Sequence, residues 1–130
     1  MSTLTSDTNR VYTPLPINGD NGFPQTFAIV FRGVTYRFRF YVNASPALIS
    51  DVSAIFDLPV PDMFLVARVD QDLADGSSKL VFLRKIVPEL VYASGQIALS
   101  FPVQRVAVRN LNGQGAHGSR VTGGIAPRWA

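Results

Sequence analysis

The sequence predicts a mainly β domain: a small antiparallel β-sandwich or barrel with one short helix and extended N- and C-terminal arms. Three observations predict it. Through residues 27–42 apolar side chains fall on every second position about a central Arg32-Gly33, and period-2 alternation marks a half-buried strand. Further short apolar runs follow, with turn residues roughly every eight to twelve positions, the spacing of an all-β domain. Glycine, proline and polar residues collect over 1–26 and 112–130, which reads as two arms flanking a β-rich domain at 27–111. The chain has 130 residues, 47% of them hydrophobic, enough for a single domain that folds on its own core.

The elements follow in order. Residues 1–26 carry Pro14, Pro16, Gly19, Gly22 and Pro24 with no regular period. Val11, Tyr12, Leu15, Ile17 and Phe23 are nevertheless too apolar for a solvated linker, so part of this arm is expected to lie against a surface, its own or a partner's. In the next segment a two-residue turn at Arg32-Gly33 would pair Phe31 with Val34, Ile29 with Tyr36 and Phe27 with Phe38. All three pairs put apolar side chains on one face, so the hairpin register is self-consistent, and Arg37, Arg39 and Tyr41 share the other face. Residues 45–57 are the helix candidate: Ser45 can cap, Pro46 suits the first turn, and Leu48, Ile49, Val52, Ile55 and Phe56 form one stripe before Pro59 and Pro61. Strands are expected at Met63–Val69 and Lys79–Arg84, joined by a polar loop over Asp70–Ser78, and then at Glu89–Tyr92, Gln96–Phe101 and Arg105–Leu111. The glycine-rich end, 112–130, reads as a second arm that supplies little core, with Trp129 as an anchor in a neighbouring subunit.

Charge is laid out unevenly. Residues 1–50 sum to +2, residues 51–75 to −5 with six aspartates against Arg68, and residues 76–130 to +6. An acidic middle and a basic end can pair between neighbouring copies, since complementary fields orient contacts. They can equally neutralise each other within one fold, the default for a single domain. Ten of the twelve basic residues are arginine, which suits planar contacts buried in interfaces; GC-rich codon usage gives the same bias.

Several function classes lose their chemistry here. There is no cysteine and only one histidine, which removes disulfides, thiolate catalysis and multi-histidine zinc sites. The expectation is a non-enzymatic chain with no cofactor and no metal. No run of about 18 apolar residues exists, so no membrane span is expected, and MSTLTSDTNR lacks the pattern of a secretory signal. Gly113-Gln114-Gly115-Ala116-His117-Gly118 matches GxGxxG, but the motif needs a strand before and a helix after it, and only twelve residues remain. Asp70-Gln71-Asp72-Leu73-Ala74-Asp75-Gly76 suggests a calcium loop, yet Ala74, Asp75 and Val81 occupy positions where an EF-hand needs a ligand, a glycine and a glutamate. A solvated hairpin loop is the simpler account. Arg37-Phe38-Arg39-Phe40-Tyr41 interleaves bases and aromatics as single-strand nucleic-acid platforms do. Alternation, however, sends Tyr36, Phe38 and Phe40 to the core face and leaves only Tyr41 beside the arginines. His117 has no acidic or nucleophilic neighbour in sequence, and the Asn43-Ala44-Ser45 sequon needs a secretory route.

The block Phe27–Val42, FAIVFRGVTYRFRFYV, resembles the leading hairpin of the baseplate plug proteins of contractile-tailed phages: a strand, a Gly-Thr-type turn and a TYRFRF-like strand. Lys79–Val91, KLVFLRKIVPELV, is similar to that family's following strand and its LV-P-x-x-L-L-like ending. The resemblance implies a non-enzymatic virion component near the hub and the end of the tail tube. Such a chain is made in the host cytoplasm, and its small β-domain packs in or against a symmetric ring while its arms lace into neighbours. Its partners would be the tail tube, the hub and further copies of itself. The residues expected to make those contacts are Arg37, Arg39 and Tyr41 on the hairpin and Arg128 and Trp129 in the tail, none of them catalytic. Two rival readings stay open: a single-stranded nucleic-acid binder, and a small-ligand barrel, which would need a cavity of about 300 Å³ or more.

Overall fold

The structure, a computed structural model, describes residues 10–112 and 115–129. Nine strands form two antiparallel sheets among these residues: β1 (Thr13–Pro14), β2 (Gln25–Phe31), β3 (Val34–Ala44), β4 (Ile55–Asp57), β5 (Met63–Asp72), β6 (Ser78–Ile86), β7 (Val91–Ser94), β8 (Ile97–Ala107) and β9 (Arg120–Pro127). The first sheet runs β2-β3-β5-β6. The second runs β1-β9-β8-β4, with β7 also paired to β8. Neither closes into a barrel. One short helix, α1 (Arg109–Asn112), follows β8, and a 3₁₀ turn spans Gly19–Asn21.

The β2–β3 hairpin has the register that alternation requires, with Phe31 opposite Val34, Ile29 opposite Tyr36 and Phe27 opposite Phe38. Arg32 and Gly33 both have positive φ, 53° and 79°. That is the type I′ geometry, whose twist matches the strands it joins. Inward from this hairpin, Phe27, Phe38 and Phe40 stack with centroids 5.2 and 6.1 Å apart along the row. Phe40 meets Phe101 of β8 edge-on at 5.7 Å, and Phe82 of β6 meets Tyr92 of β7 at 5.3 Å. These contacts join the two sheets across one core, to which Met63, Leu65, Ile86, Leu99 and Ile125 also belong.

Three expectations are corrected. Residues 45–57 are not a helix but a chain of tight turns ending in β4, which pairs with β8 through Ile55–Ala107 and Phe56–Val106. The polar residues there close local bonds instead of a helical ladder. The Ser50 hydroxyl donates to the Ala47 carbonyl, and the Asp51 carboxylate accepts from both the amide and the hydroxyl of Ser53, the competition that disfavours these residues inside helices. The supposed stripe is not one buried face, since Leu48 and Phe56 pack against the core while Val52 and Ile55 are 59% and 51% exposed. Next, Gln96–Phe101 and Arg105–Leu111 are not two strands; residues 97–107 form one, β8, whose register against β9 shifts between Ser100 and Val103. Pro102 sits in that irregularity, where a residue without an amide hydrogen is tolerated.

The third correction concerns the C-terminal arm. Residues 120–127 are β9, inserted between β1 and β8, with Val121, Ile125 and Ala126 buried. Its glycines serve close approach. A Cβ on Gly123 would lie 2.8 Å from Phe101 Cδ1, and one on Gly124 would lie 2.8 Å from Tyr12 Cβ. The loop before β9 is held by a partly buried polar cluster around the buried Asn110: its side-chain amide donates to the Gly115 carbonyl, and the Ser119 hydroxyl accepts from the Ala107 amide while donating to Asn110 Oδ1. At the other end, residues 10–26 lie on their own domain. Thr13 pairs with Ile125, the Leu15 amide donates to the Gly123 carbonyl, and Leu15 and Phe23 are buried. Residues 1–9, the outer part of the expected N-terminal arm, lie outside the described residues.

Candidate functional site

Because the I′ turn fixes register, the same alternation that buries Tyr36, Phe38 and Phe40 puts Thr35, Arg37, Arg39 and Tyr41 on the outer face of β3. The neighbouring strand adds to this face. Arg39 lies opposite Arg68, Arg37 opposite Asp70 and Tyr41 opposite Val66. Three arginines and two aspartates therefore occupy adjacent positions on a rigid sheet.

Two of the arginines are satisfied within the chain. Arg37 donates through Nε and Nη2 to the two carboxylate oxygens of Asp72, each at 3.0 Å. Arg68 donates through Nε at 2.9 Å and Nη2 at 3.3 Å to Asp70. The hydrogen bond from Arg37, helped by its charge, holds the Asp72 carboxyl below the usual carboxylate range, although partial desolvation acts the other way. The same bonds raise the already high pKa of Arg37 and Arg68. Both pairs are exposed, so they order side chains more than they stabilise the fold.

Arg39 differs. It stands directly across from Arg68, and among the described residues no carboxylate reaches it. Like charges at opposed positions of a sheet are unfavourable. Beside it, Thr26, Ala28, Arg37, Arg39, Arg68 and Asp70 border an open groove of about 430 Å³. Chemically this is a shallow cationic trough able to accept a carboxylate or phosphate on Arg39 with bidentate geometry. Tyr41, half-buried, closes one end of the row.

Arg128 and Trp129 follow β9 of the second sheet and do not join this face. The Arg128 amide donates to the Gln96 carbonyl at 2.9 Å, and its guanidinium lies 5.1 Å from the centre of the Trp129 ring. Trp129 itself is 68% exposed. The five residues selected from sequence thus form two sites. Arg68, Asp70 and Asp72 were not among them. Alternation within residues 63–69 places Arg68 away from the core, but nothing in sequence states that this strand pairs with β3.

The remaining motifs resolve structurally. Asp75 accepts from the amide and hydroxyl of Ser77, and the Leu73 amide donates to the Ser77 carbonyl, so residues 73–77 are a hydrogen-bonded hairpin loop. In the GxGxxG stretch Gly113 and Gln114 lie outside the described residues, a helix precedes and a strand follows, the reverse of a phosphate-binding turn. Among the described residues no group of three or more His, Asp or Glu is placed to hold a metal ion, and no helix is long and apolar enough to cross a membrane. Three of the six aspartates of the acidic middle pair within the chain: Asp57 with Arg105, Asp70 with Arg68 and Asp72 with Arg37. No protein-family model, curated protein or solved structure matches the chain.

Proposed function

We propose that this chain is a non-enzymatic structural protein of a phage virion, a tail or baseplate component, plug- or hub-associated, that acts by subunit assembly at the tail tip. The observation that supports this reading best is Arg39, which no carboxylate among the described residues reaches, set opposite Arg68 on the outer face of the first sheet. A fold that keeps such a pair bears an electrostatic cost in the isolated subunit, which an acidic group from a neighbouring subunit would relieve. Trp129, exposed beside Arg128, is the second contact in this reading, an aromatic and arginine pair of the kind enriched at interfaces. Partners are further copies of the chain in a ring, the tail tube and the hub.

The test is the solution mass by light scattering at low and moderate salt, for the native chain and for the Arg37→Ser/Arg39→Ser double variant. A discrete trimer or hexamer that the double variant loses, with an unchanged circular dichroism spectrum, supports the ring. Loss of the fold in the double variant would mean that these arginines are structural, and the contact assignment would fall. Tight, steeply salt-dependent binding of oligonucleotides by the native chain would favour the single-stranded nucleic-acid reading, with Arg39 as a phosphate contact.

A further inference from the structure

We propose that β2 is a self-pairing edge through which two copies join antiparallel, about a two-fold axis at Ala28, into one continuous sheet. This goes beyond the assembly reading above and rests on the backbone rim of the first sheet, whose Thr26 and Ala28 also border the arginine groove.

An edge strand carries a row of unpaired amides and carbonyls, and proteins blunt such rows with charge, proline, bulges or brevity. Among the described residues every other strand that ends a sheet is blunted. β1 has two residues, one of them Pro14; β4 has three residues and β7 four. β6 carries Lys79, Arg84 and Lys85, and its register against β5 breaks beside Val69. β2 has none of these devices. It runs seven residues as Gln-Thr-Phe-Ala-Ile-Val-Phe, without charge or proline, in unbroken register with β3.

The turn decides which backbone groups are free. In a two-residue I′ hairpin the residues flanking the turn share the first ladder bonds, so Phe31, Ile29, Phe27 and Gln25 bond to β3, while Thr26, Ala28 and Val30 aim their amides and carbonyls outward. No backbone bond from elsewhere in the described residues reaches these three. Their side chains are small, and Val30 is 72% exposed. On the inner side Phe27, Ile29 and Phe31, although they face the core, are only partly buried.

A second copy suits this edge because the edge is complementary to itself. Antiparallel pairing centred on Ala28 sets Ala28 against Ala28, Thr26 against Val30, and Phe27 against Ile29, covering the half-buried apolar side chains with their counterparts. Its ends carry opposite charge. Arg32 stands at the C-terminal end, and Asp20 stands on the 3₁₀ turn that Gln25 clamps at the N-terminal end through bonds to Asn18 and Gly22. Neither has an ion-pair partner among the described residues. The antiparallel arrangement brings each Arg32 toward the partner's Asp20 end; a parallel one would set like beside like.

The chain has no cysteine, so Ala28→Cys introduces a single thiol. Across the axis two hydrogen-bonded residues have Cα atoms about 5.5 Å apart, within the disulfide range of about 4.4–6.8 Å. Oxidised Ala28→Cys is expected to run as a covalent dimer, while a control cysteine at exposed Leu90 stays monomeric. In sedimentation, Ala28→Lys, which sets two ammonium groups face to face, should raise the dimer dissociation constant at least about tenfold. Mixing Ala28→Lys with Ala28→Asp should restore the dimer. Circular dichroism and thermal melting of each variant establish that it is folded. A native chain that is monomeric at high concentration, or an Ala28→Lys variant that dimerises as tightly as the native chain, would overturn the proposal. Failure of the ring reading is separable: Arg37→Ser/Arg39→Ser is expected to leave the β2 dimer intact.

Discussion

The two sheets cover the same core by opposite means. The first takes its four strands from residues 25–86, a stretch that also gives β4 to the other sheet, and fills its inner face with bulk: Phe27, Phe38 and Phe40 stack, and Phe82 closes the far side. The second gathers strands from both ends of the chain, β1 and β9 beside β8, and relies on the absence of bulk, with Gly123 and Gly124 letting Phe101 and Tyr12 approach the backbone. One sheet is therefore expected to fail when atoms are removed and the other when atoms are added.

The largest effect should come from the first sheet. Phe40 is fully buried and touches the rings of Phe27, Phe38 and Phe101. Phe40→Ala should cost about 3–5 kcal/mol, the transfer term plus the cavity left behind, read as a lower midpoint in urea denaturation with a similar slope. A cost near that of an exposed substitution would mean that the ring stack collapses freely, and the contrast between the sheets would lose its first half.

Gly124→Ala comes next. The atom in its way is Tyr12 Cβ, close to the backbone and unable to swing aside, so the added methyl must displace the residue 12–15 segment. Overpacking of this kind costs about 1–3 kcal/mol. Hydrogen exchange sharpens the reading, because the Leu15 amide donates to the Gly123 carbonyl and should lose protection ahead of the β3–β5 amides. Neutral behaviour in both measurements would mean that β9 is loosely held, as an arm would be.

The same contrast explains what could be read from sequence. The β2–β3 hairpin was legible down to its register because strict alternation and a two-residue turn are local signals, and they also placed Arg37, Arg39 and Tyr41 on one face. β9 was not legible, since glycine that permits close packing looks the same in sequence as glycine that permits looseness; only Phe101 and Tyr12, distant in the chain, distinguish them. Pro102 split β8 for a similar reason, being tolerated where the register shifts. The apolar spacing over 45–57 fits a helix, but Ser50, Asp51 and Ser53 bind their own neighbours, and Ile55 and Phe56 pair with β8. Arg68 escaped notice because β3 pairs with β5 past an intervening segment, so the opposition of Arg39 and Arg68 exists only once the chain is folded.

The smallest expected effect lies outside both cores, on the arginine face. The hydrogen bond from Arg37 holds the Asp72 carboxyl below its usual range. A carboxyl depressed in the folded state stabilises the fold above its unfolded pKa, about 3.9 for aspartate, and that contribution is lost as pH falls through the folded value. The loss therefore falls in the acid range below about pH 4, and neutral-pH stability should not respond to small changes of pH through this pair. Arg37→Ser should move the Asp72 titration upward toward the ordinary value, measured by carboxyl carbon NMR, with little change in unfolding at neutral pH because the pair is open to solvent. An Asp72 titration that does not move would mean that Arg37 does not hold this carboxylate in solution. Arg37 would then stand beside Arg39 as a second arginine without a counter-ion, and the cationic trough would be stronger than the ion pair suggests.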